Sequence, residues 1–74
     1  MKIFAERLRE LRESNGYSKY RLAREVGVNS STIFRIETGK IKIRIKTFIK
    51  IVTFFNISSD YFLGRINEKK KMKD

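Results

Sequence analysis

The side chains able to do chemistry in this chain are cationic and polar rather than nucleophilic or metal-binding. The sequence has 18 lysines and arginines against 8 acidic residues, a net charge of +10, and it contains no histidine and no cysteine. It also lacks a phosphate-cradling glycine loop and clustered carboxylates. We therefore expect no catalytic site, no metal and no cofactor. The chemistry that remains is the binding of anions.

The positive charge is concentrated in one segment. Between Glu37 and Asp60 the sequence carries no acidic residue. That interval supplies the cations Lys40, Lys42, Arg44, Lys46 and Lys50. A basic surface of this kind fits a polyanion, most simply the phosphates of nucleic acid. A solvated surface that only keeps the protein soluble is the alternative.

The stretch before this segment, SKYRLAREVGVNSSTIFRIET, has the pattern of two short helices joined by a tight turn. The first helix has an apolar stripe made of Leu22, Ala23 and Val26. Ser18 is its candidate N-cap, and Gly27 ends it because glycine adopts the left-handed backbone that closes a helix. Asn29 or Ser30 can cap the second helix soon afterwards, so the second helix must leave at a steep angle.

The second helix has a small, polar and basic outward face. Its inward residues are Ile33 and Ile36. Successive residues lie about 100° apart around a helix, so the face directed away from Ile33 and Ile36 can be read from the sequence. On or beside that outward face are Ser31, Phe34, Arg35 and Thr38.

The two helices and their turn contain the run Leu22-Ala23-x-x-Val26-Gly27-Val28-Asn29-x-Ser31-Thr32-Ile33-x-x-Ile36-Glu37-x-Gly39-Lys40. This run resembles the helix-turn-helix of the phage repressor and Cro type, the Xre family. It continues upstream at Leu8, Leu11 and Arg12, and downstream in Ser58-x-Asp60-Tyr61-Phe62-Leu63-Gly64. Each part is loose alone, but the ordered set with these spacings is specific. The resemblance implies an all-α, five-helix, lambda-repressor-like DNA-binding domain.

We expect one domain over residues 1–66, followed by a disordered basic tail at 67–74. Its helices are predicted at about 2–14, 18–26, 29–38, 45–55 and 58–63. Residues 41–46 alternate between apolar and basic, which is a strand pattern, but a single strand would have no partner here. The family has a loop at this place, usually with a proline near 43 and a Ser or Thr cap near 44, where this chain has Ile43 and Arg44. We favour a loop that runs into the fourth helix.

In the helix-turn-helix motif the second helix enters the major groove and its N-terminal residues meet base edges. The resemblance therefore assigns base contacts to Asn29, Ser30, Ser31, Phe34 and Arg35. Arg35 is expected to make a bidentate contact with guanine O6 and N7. Phe34 has two open interpretations: it folds back onto the core, or it touches thymine methyl groups.

DNA phosphates are predicted to bind at two other places, the start of the first helix of the motif and the loop before the fourth helix. The first turn after Ser18 carries Lys19 and Arg21 and no acid, which disfavours the helix alone and favours an anion at its N-terminus. Sequence drift is the alternative explanation. The phosphate-binding set consists of Ser18, Lys19, Arg21, Thr38, Lys40, Lys42 and Arg44.

The resemblance also implies a partly buried salt bridge between Arg12, late in the first helix, and Glu37, late in the third. Glu37 borders the inner face of its helix, where an unpaired carboxylate would be costly.

The fourth helix is predicted to face the core with Ile45, Phe48, Ile49, Val52 and Phe55, leaving Ile51 and Phe54 outside that stripe. The fifth predicted helix holds more apolar surface than one side can bury. The excess suggests a dimer interface made of Phe54, Ile57, Tyr61, Phe62 and Ile66. The alternative is that these side chains complete the core of the monomer.

These observations predict a cytoplasmic regulator of transcription, most simply a repressor of phage or mobile-element type. It would bind double-stranded DNA as a homodimer on a palindromic site and make no contact with membranes. The alternatives are a DNA-binding antitoxin or restriction controller, whose partner would be a protein such as a toxin or an anti-repressor, and a helical protein-interaction module. No apolar run in the sequence approaches the length needed to span a bilayer.

Overall fold

A computed structural model describes residues 2–39 and 41–69. It consists of five helices, α1 (Lys2–Ser14), α2 (Lys19–Val26), α3 (Ser30–Glu37), α4 (Ile45–Phe55) and α5 (Ser59–Phe62). The described residues contain no β-strand, so the predicted all-α fold is confirmed, and residues 42–44 form a loop leading into α4. Within the same ranges, no helix has both the length and the apolar character of a membrane span. Most of the predicted tail, from residue 70, lies outside the described residues.

The core is built on α1, whose Phe4, Leu8 and Leu11 lie one turn apart and are buried. The Phe4 ring lies between two other rings, with its centroid 5.3 Å from those of both Phe48 and Phe62. These aromatic contacts join α1, α4 and α5 around one hydrophobic centre. The helix-turn-helix packs on the same centre through buried residues of α2 and α3.

Gly27 makes the turn between α2 and α3. Its φ of 91° is left-handed, and its N–H donates a hydrogen bond of 2.8 Å to the carbonyl of Ala23. Asn29 is already extended and precedes the first turn of α3. Because only three residues separate the helices, the conformation of Gly27 sets the direction in which α3 leaves.

The predicted inner face of α4 is wrong in part: Phe48, Val52 and Phe55 face the core as expected, but Ile45 and Ile49 do not, and Ile51 does. Ile51 is fully buried and Val52 nearly so, whereas Ile45 and Ile49 are 68% and 54% exposed. Phe48 and Phe55 are half-buried against the core, as is Phe54. The helix is therefore rotated so that residue 51 replaces residues 45 and 49 on the inner face.

Two residues assigned to a dimer interface lie in the core instead. Tyr61 and Phe62 are buried, while the other three members of that set, Phe54, Ile57 and Ile66, are half-buried against the core. The short helix α5 buries both neighbours because Phe62 faces Phe4 and Tyr61 is covered by Arg7, whose guanidinium carbon lies 4.3 Å from the Tyr61 ring centroid. The predicted patch is thus largely the core of the monomer.

Candidate nucleic-acid interface

The outward face of α3 is open to solvent. Asn29, Ser30, Ser31, Phe34 and Arg35 are all exposed, while Ile33 and Ile36 are buried on the opposite side. Thr38, which caps the end of the helix, is also exposed and donates its hydroxyl hydrogen bond to the carbonyl of Arg35. The fold therefore presents all five residues predicted to contact bases along one helix.

The N-caps of α2 and α3 differ in a way that bears on binding. The Ser18 Oγ accepts a hydrogen bond of 3.0 Å from the N–H of Arg21, so its acceptor is used inside the fold. Asn29 is extended at the same position of α3, but its side chain makes no cap hydrogen bond. A carboxamide can both donate and accept, and a bidentate contact with adenine is its typical use in the major groove. The Asn29 amide is thus exposed and is not used by the cap.

Phe34 does not fold back onto the core, so that interpretation is wrong. Its side chain is 56% exposed, and the Lys19 ammonium nitrogen lies 5.0 Å from the ring centroid. The inward positions of α3 are already filled by isoleucines, which leaves no room on that side for a ring. The pair joins the start of α2 to the middle of α3 on the outward side.

Arg35 lines a cleft between α3 and the loop before α4. The cleft has a volume of about 430 Å³ and is lined by Thr32, Arg35, Ile36, Ile41, Lys42, Ile43, Arg44 and Thr47. It brings a predicted base-contacting arginine together with two predicted phosphate ligands, Lys42 and Arg44. Lys40 lies outside the described residues.

The first turns of α2 and α4 both lack acidic residues. At the start of α2, Lys19 lies over Phe34, and the Arg21 guanidinium carbon is 5.0 Å from the Tyr17 ring centroid. At the start of α4, the capping residue Arg44 makes no side-chain cap hydrogen bond. Helix N-termini carry partial positive charge and donate N–H groups, so both ends favour an anion.

Sequence reasoning missed several residues around these clefts. Thr32 and Thr47 contribute to the lining beside Arg35, and hydroxyl groups there add donors for phosphate oxygens. A second cleft of about 390 Å³ between α2 and α3 is lined by Tyr20, Ala23, Arg24, Val28, Asn29, Ser30 and Ser31. Tyr20 is 66% exposed at its edge. The sequence could have indicated this position of Tyr20, because it directly follows Lys19 on the first turn of α2.

The Arg12–Glu37 salt bridge implied by the resemblance is present. Arg12 Nε lies 2.7 Å from Glu37 Oε2 and Nη2 lies 3.0 Å from Oε1, a bidentate geometry. Arg12 Nη1 also donates to the carbonyl of Tyr17 at 3.0 Å. The hydrogen bond with Glu37 is the main cause that raises the pKa of Arg12 above its ordinary value. The pair fixes the C-terminal end of α3 to α1.

Arg9 is a third member of this cluster that the sequence did not indicate. Its Nε lies 3.6 Å from Glu37 Oε1, and its side chain is mostly exposed. Exposed pairs of this length contribute little to stability. The buried arginine therefore carries most of the compensation for the Glu37 charge.

An apolar surface lies beside the basic cleft. Ile43, Ile45, Phe48 and Leu63 line a groove of about 270 Å³. Ile43 lines both this groove and the cleft that contains Arg35, so the two surfaces are continuous. Among the described residues there is no cluster of acidic side chains that could hold a metal ion.

Comparison with known proteins places this architecture in a family. A family model described as helix-turn-helix matches residues 8–62. The chain is 34% identical over 61 residues to the SPbeta prophage-derived HTH-type transcriptional regulator YonR of Bacillus subtilis, and 27% identical over 66 residues to the HTH-type transcriptional regulator ImmR of the same organism. A protein of Pyrococcus furiosus named as an HTH-type transcriptional regulatory protein is 39% identical over 56 residues.

These matches cover 82%, 89% and 76% of this chain, in the same order, but only 56%, 52% and 18% of the relatives. No solved structure matches. The matched residues include α1 from Leu8 onward and the whole of α2 to α5, so both partners of the Arg12–Glu37 pair fall within the match. The resemblance stated from the sequence is confirmed, and the chain belongs to the helix-turn-helix family of the phage repressor and Cro type.

Proposed function

We propose that this protein binds specific double-stranded DNA sequences and regulates transcription in the cytoplasm. The observation that carries this proposal is the outward face of α3, where five side chains capable of base contacts are exposed together. An α-helix fits the major groove, and these side chains have the groups that meet base edges there. We assign base contacts to Asn29, Ser30, Ser31, Phe34 and Arg35.

Phosphates on both sides of the groove would be held by the elements that flank α3. At one edge are Ser18, Lys19 and Arg21 at the start of α2. At the other edge are Lys42 and Arg44 of the loop, and at the end of α3 Thr38, whose hydroxyl would have to exchange its hydrogen bond to the Arg35 carbonyl for one to a phosphate. Lys40 is assigned to the same set from the sequence and lies outside the described residues. Phosphate contacts position the protein along the duplex, and the helix between them carries the sequence preference.

The protein would act as a dimer on a palindromic operator. Support comes from the apolar groove and from the exposed side chains of Ile45 and Ile49, because exposed apolar side chains grouped on one helix are typical of an association site. Through Ile43 the groove adjoins the basic cleft, so a second copy on it would bring a second α3 to the same side of the DNA. A two-fold dimer of this kind matches half-sites about one helical turn apart.

The proposed mechanism of regulation is repression by occlusion of a promoter, because occlusion requires only DNA binding and dimerisation. The relatives named as transcriptional regulators, one of them prophage-derived, support a role in regulation. The protein would have no catalytic role. A protein partner, as for an antitoxin or a restriction controller, would occupy the same apolar surface.

The test is selection of binding sites from a random duplex pool, followed by fluorescence anisotropy on the selected DNA. We expect an enriched palindrome bound at least about 10³-fold more tightly than the pool. Arg35→Ala should relax the preference at one position in each half-site and cost about 1–3 kcal/mol there. Salt-dependent binding without any enriched sequence would contradict the proposal and leave a non-specific polycation.

A further inference from the structure

We propose that Phe34 recognises the 5-methyl group of a pyrimidine in the major groove, with Lys19 as the residue that positions its ring. This inference rests on the proposed function and adds to it the identity of one recognised group. It is independent of how the protein represses or assembles.

The Phe34 ring keeps more than half of its surface in solvent. The ring is 56% exposed on a helix whose core positions are filled by Ile33 and Ile36. Among the residues assigned to bases it is the single apolar side chain, since its neighbours on that face are serines, an asparagine and an arginine. Leaving a phenyl group in water forfeits the stability that its burial would give. A partner outside the protein would restore it.

The Lys19–Phe34 contact fixes where this ring lies. The ammonium group is 5.0 Å from the ring centroid, within the distance at which a cation is attracted to an aromatic face. Lys19 is half-buried at the first position of α2, so this contact links the ring to the start of that helix. The ring is thereby held on the side of α3 that faces α2. Arg35 follows about 100° further around the helix, on the side of the loop.

A phenyl ring can neither donate nor accept a conventional hydrogen bond, which restricts what it can recognise. Among the edges that base pairs show in the major groove, the apolar group is the C5-methyl of thymine. The same methyl group at the same ring position is present in 5-methylcytosine. Phe34 therefore fits a 5-methylpyrimidine, at a base pair near the guanine assigned to Arg35.

The experiment replaces single thymines of the selected site with uracil, which removes only the 5-methyl group. Fluorescence anisotropy should show about a threefold to fivefold loss of affinity at one position per half-site, the effect of burying one methyl group. Phe34→Ala should bind the thymine and uracil duplexes equally. Cytosine and 5-methylcytosine at the same position should differ by a similar factor for the wild type and not for Phe34→Ala, which would show that the methyl group is recognised in either base.

The positioning role of Lys19 is tested by the ratio of the affinities for the thymine and uracil duplexes. Lys19→Gln should lower the thymine-to-uracil preference, and Lys19→Arg should restore it because a guanidinium also packs on an aromatic face. A lysine that only holds a phosphate would change affinity for both duplexes alike and leave the ratio unchanged. That outcome would overturn the positioning role.

The recognition of the methyl group is overturned if no uracil substitution weakens binding, or if the loss persists in Phe34→Ala. Failure of the proposed function looks different, since no sequence would then be enriched and no duplex could be designed. Because Phe34 is exposed, circular dichroism of the Phe34→Ala variant should show an unchanged fold and melting temperature.

Discussion

At the scale of single residues, the buried ion pair connects the DNA-binding helix to the rest of the fold. Glu37 is the last residue of α3, and its carboxylate is almost completely enclosed. The Arg12 guanidinium also holds the carbonyl of Tyr17, so one side chain connects α1, the turn after it and α3. Such a group is costly to leave without its partner, because a buried charge loses its hydration.

We therefore expect Glu37→Ala to destabilise folding by about 3 kcal/mol, roughly 12–24 °C in Tm for a domain of this size. The cause is the uncompensated guanidinium of Arg12, and a thermal melt measures it. Arg9→Ala is the matched control, since the exposed Arg9 lies 3.6 Å from the same carboxylate and should cost less than about 1 kcal/mol. Equal melting temperatures for Glu37→Ala and the wild type would contradict this role.

The residue scale also shows what the sequence could and could not predict. Arg12 and Glu37 were paired through the resemblance, because 25 positions separate them and no local spacing joins them. The exposure of Phe34 is not predictable from the sequence, since an aromatic side chain at the border of a helix face can lie either in the core or on the surface. Its position depends on Lys19, which approaches from another helix.

At the scale of elements, the two helices of the motif begin with capping residues in different states. Ser18 bonds to the first turn of α2, and Asn29 leaves the first turn of α3 without a side-chain hydrogen bond. Ser18 thus stabilises its helix through a cap hydrogen bond, in addition to its proposed place beside a phosphate, whereas we assign Asn29 to base recognition alone.

Alanine substitution separates these two roles. Ser18→Ala should destabilise the protein by about 1 kcal/mol, the usual cost of a lost cap. Asn29→Ala should cost at most a few tenths of a kcal/mol because it removes no cap hydrogen bond, yet it should weaken binding to the selected DNA. Urea denaturation and anisotropy on the same samples measure both quantities. A larger loss of stability for Asn29→Ala than for Ser18→Ala would contradict the assignment.

The rotation of α4 illustrates why its inner face could not be chosen from the sequence. The segment IKTFIKIVTFF is apolar at most positions, so a stripe through residues 45, 48, 49 and 52 and a stripe through 48, 51, 52 and 55 have equally good helical spacing. Tertiary contacts decide between them. Phe4 packs on Phe48, and Phe55 packs on Phe62, which turns Ile51 inward and Ile45 outward.

At the scale of the whole molecule, the net charge of +10 does not act as one uniform field. Lys50 belongs to the acid-free segment, but its ammonium lies 3.5 Å from the carbonyl of Gly27 at the end of α2. A cation there complements the negative end of that helix. Lys42 and Arg44 instead line the cleft beside α3. The sequence predicts that the domain is strongly positive as a whole. The packing of the helices decides which cationic side chains stay available to contact DNA.

Removing one of the cleft cations should therefore weaken DNA binding in a manner that depends on salt but not on sequence. For Lys42→Gln or Arg44→Gln, the slope of log affinity against log salt should fall by about 1 per lost phosphate contact, or about 2 in a symmetric dimer. Arg65→Gln is the matched control, since Arg65 is highly exposed, follows α5 and lines neither basic cleft. An equal change of slope for all three variants would indicate only general electrostatics.

The proposed dimer belongs to the same scale. Ile49→Lys should raise the dimer dissociation constant at least about tenfold, because a two-fold axis places the new charge in the apolar contact twice. Because Ile49 is exposed in the monomer, the melting temperature should be unchanged when it is measured below the dimer dissociation constant of the wild type. Tyr20→Ser removes a similarly exposed apolar side chain on α2 and should leave association intact. Sedimentation equilibrium measures both variants, and a dimer unaffected by Ile49→Lys would place the contact elsewhere.

The outward side chains of α3 contribute almost nothing to the packing that holds the helix in place. Ser30, Ser31, Phe34 and Arg35 are exposed, while the anchoring of α3 depends on Ile33, Ile36 and the carboxylate of Glu37. Exposed positions away from such anchors usually change stability by less than about 0.5 kcal/mol when they are substituted. Variation at these four positions is therefore nearly free of a folding penalty. The target preference of such a protein can diverge quickly between related genomes while its scaffold stays the same.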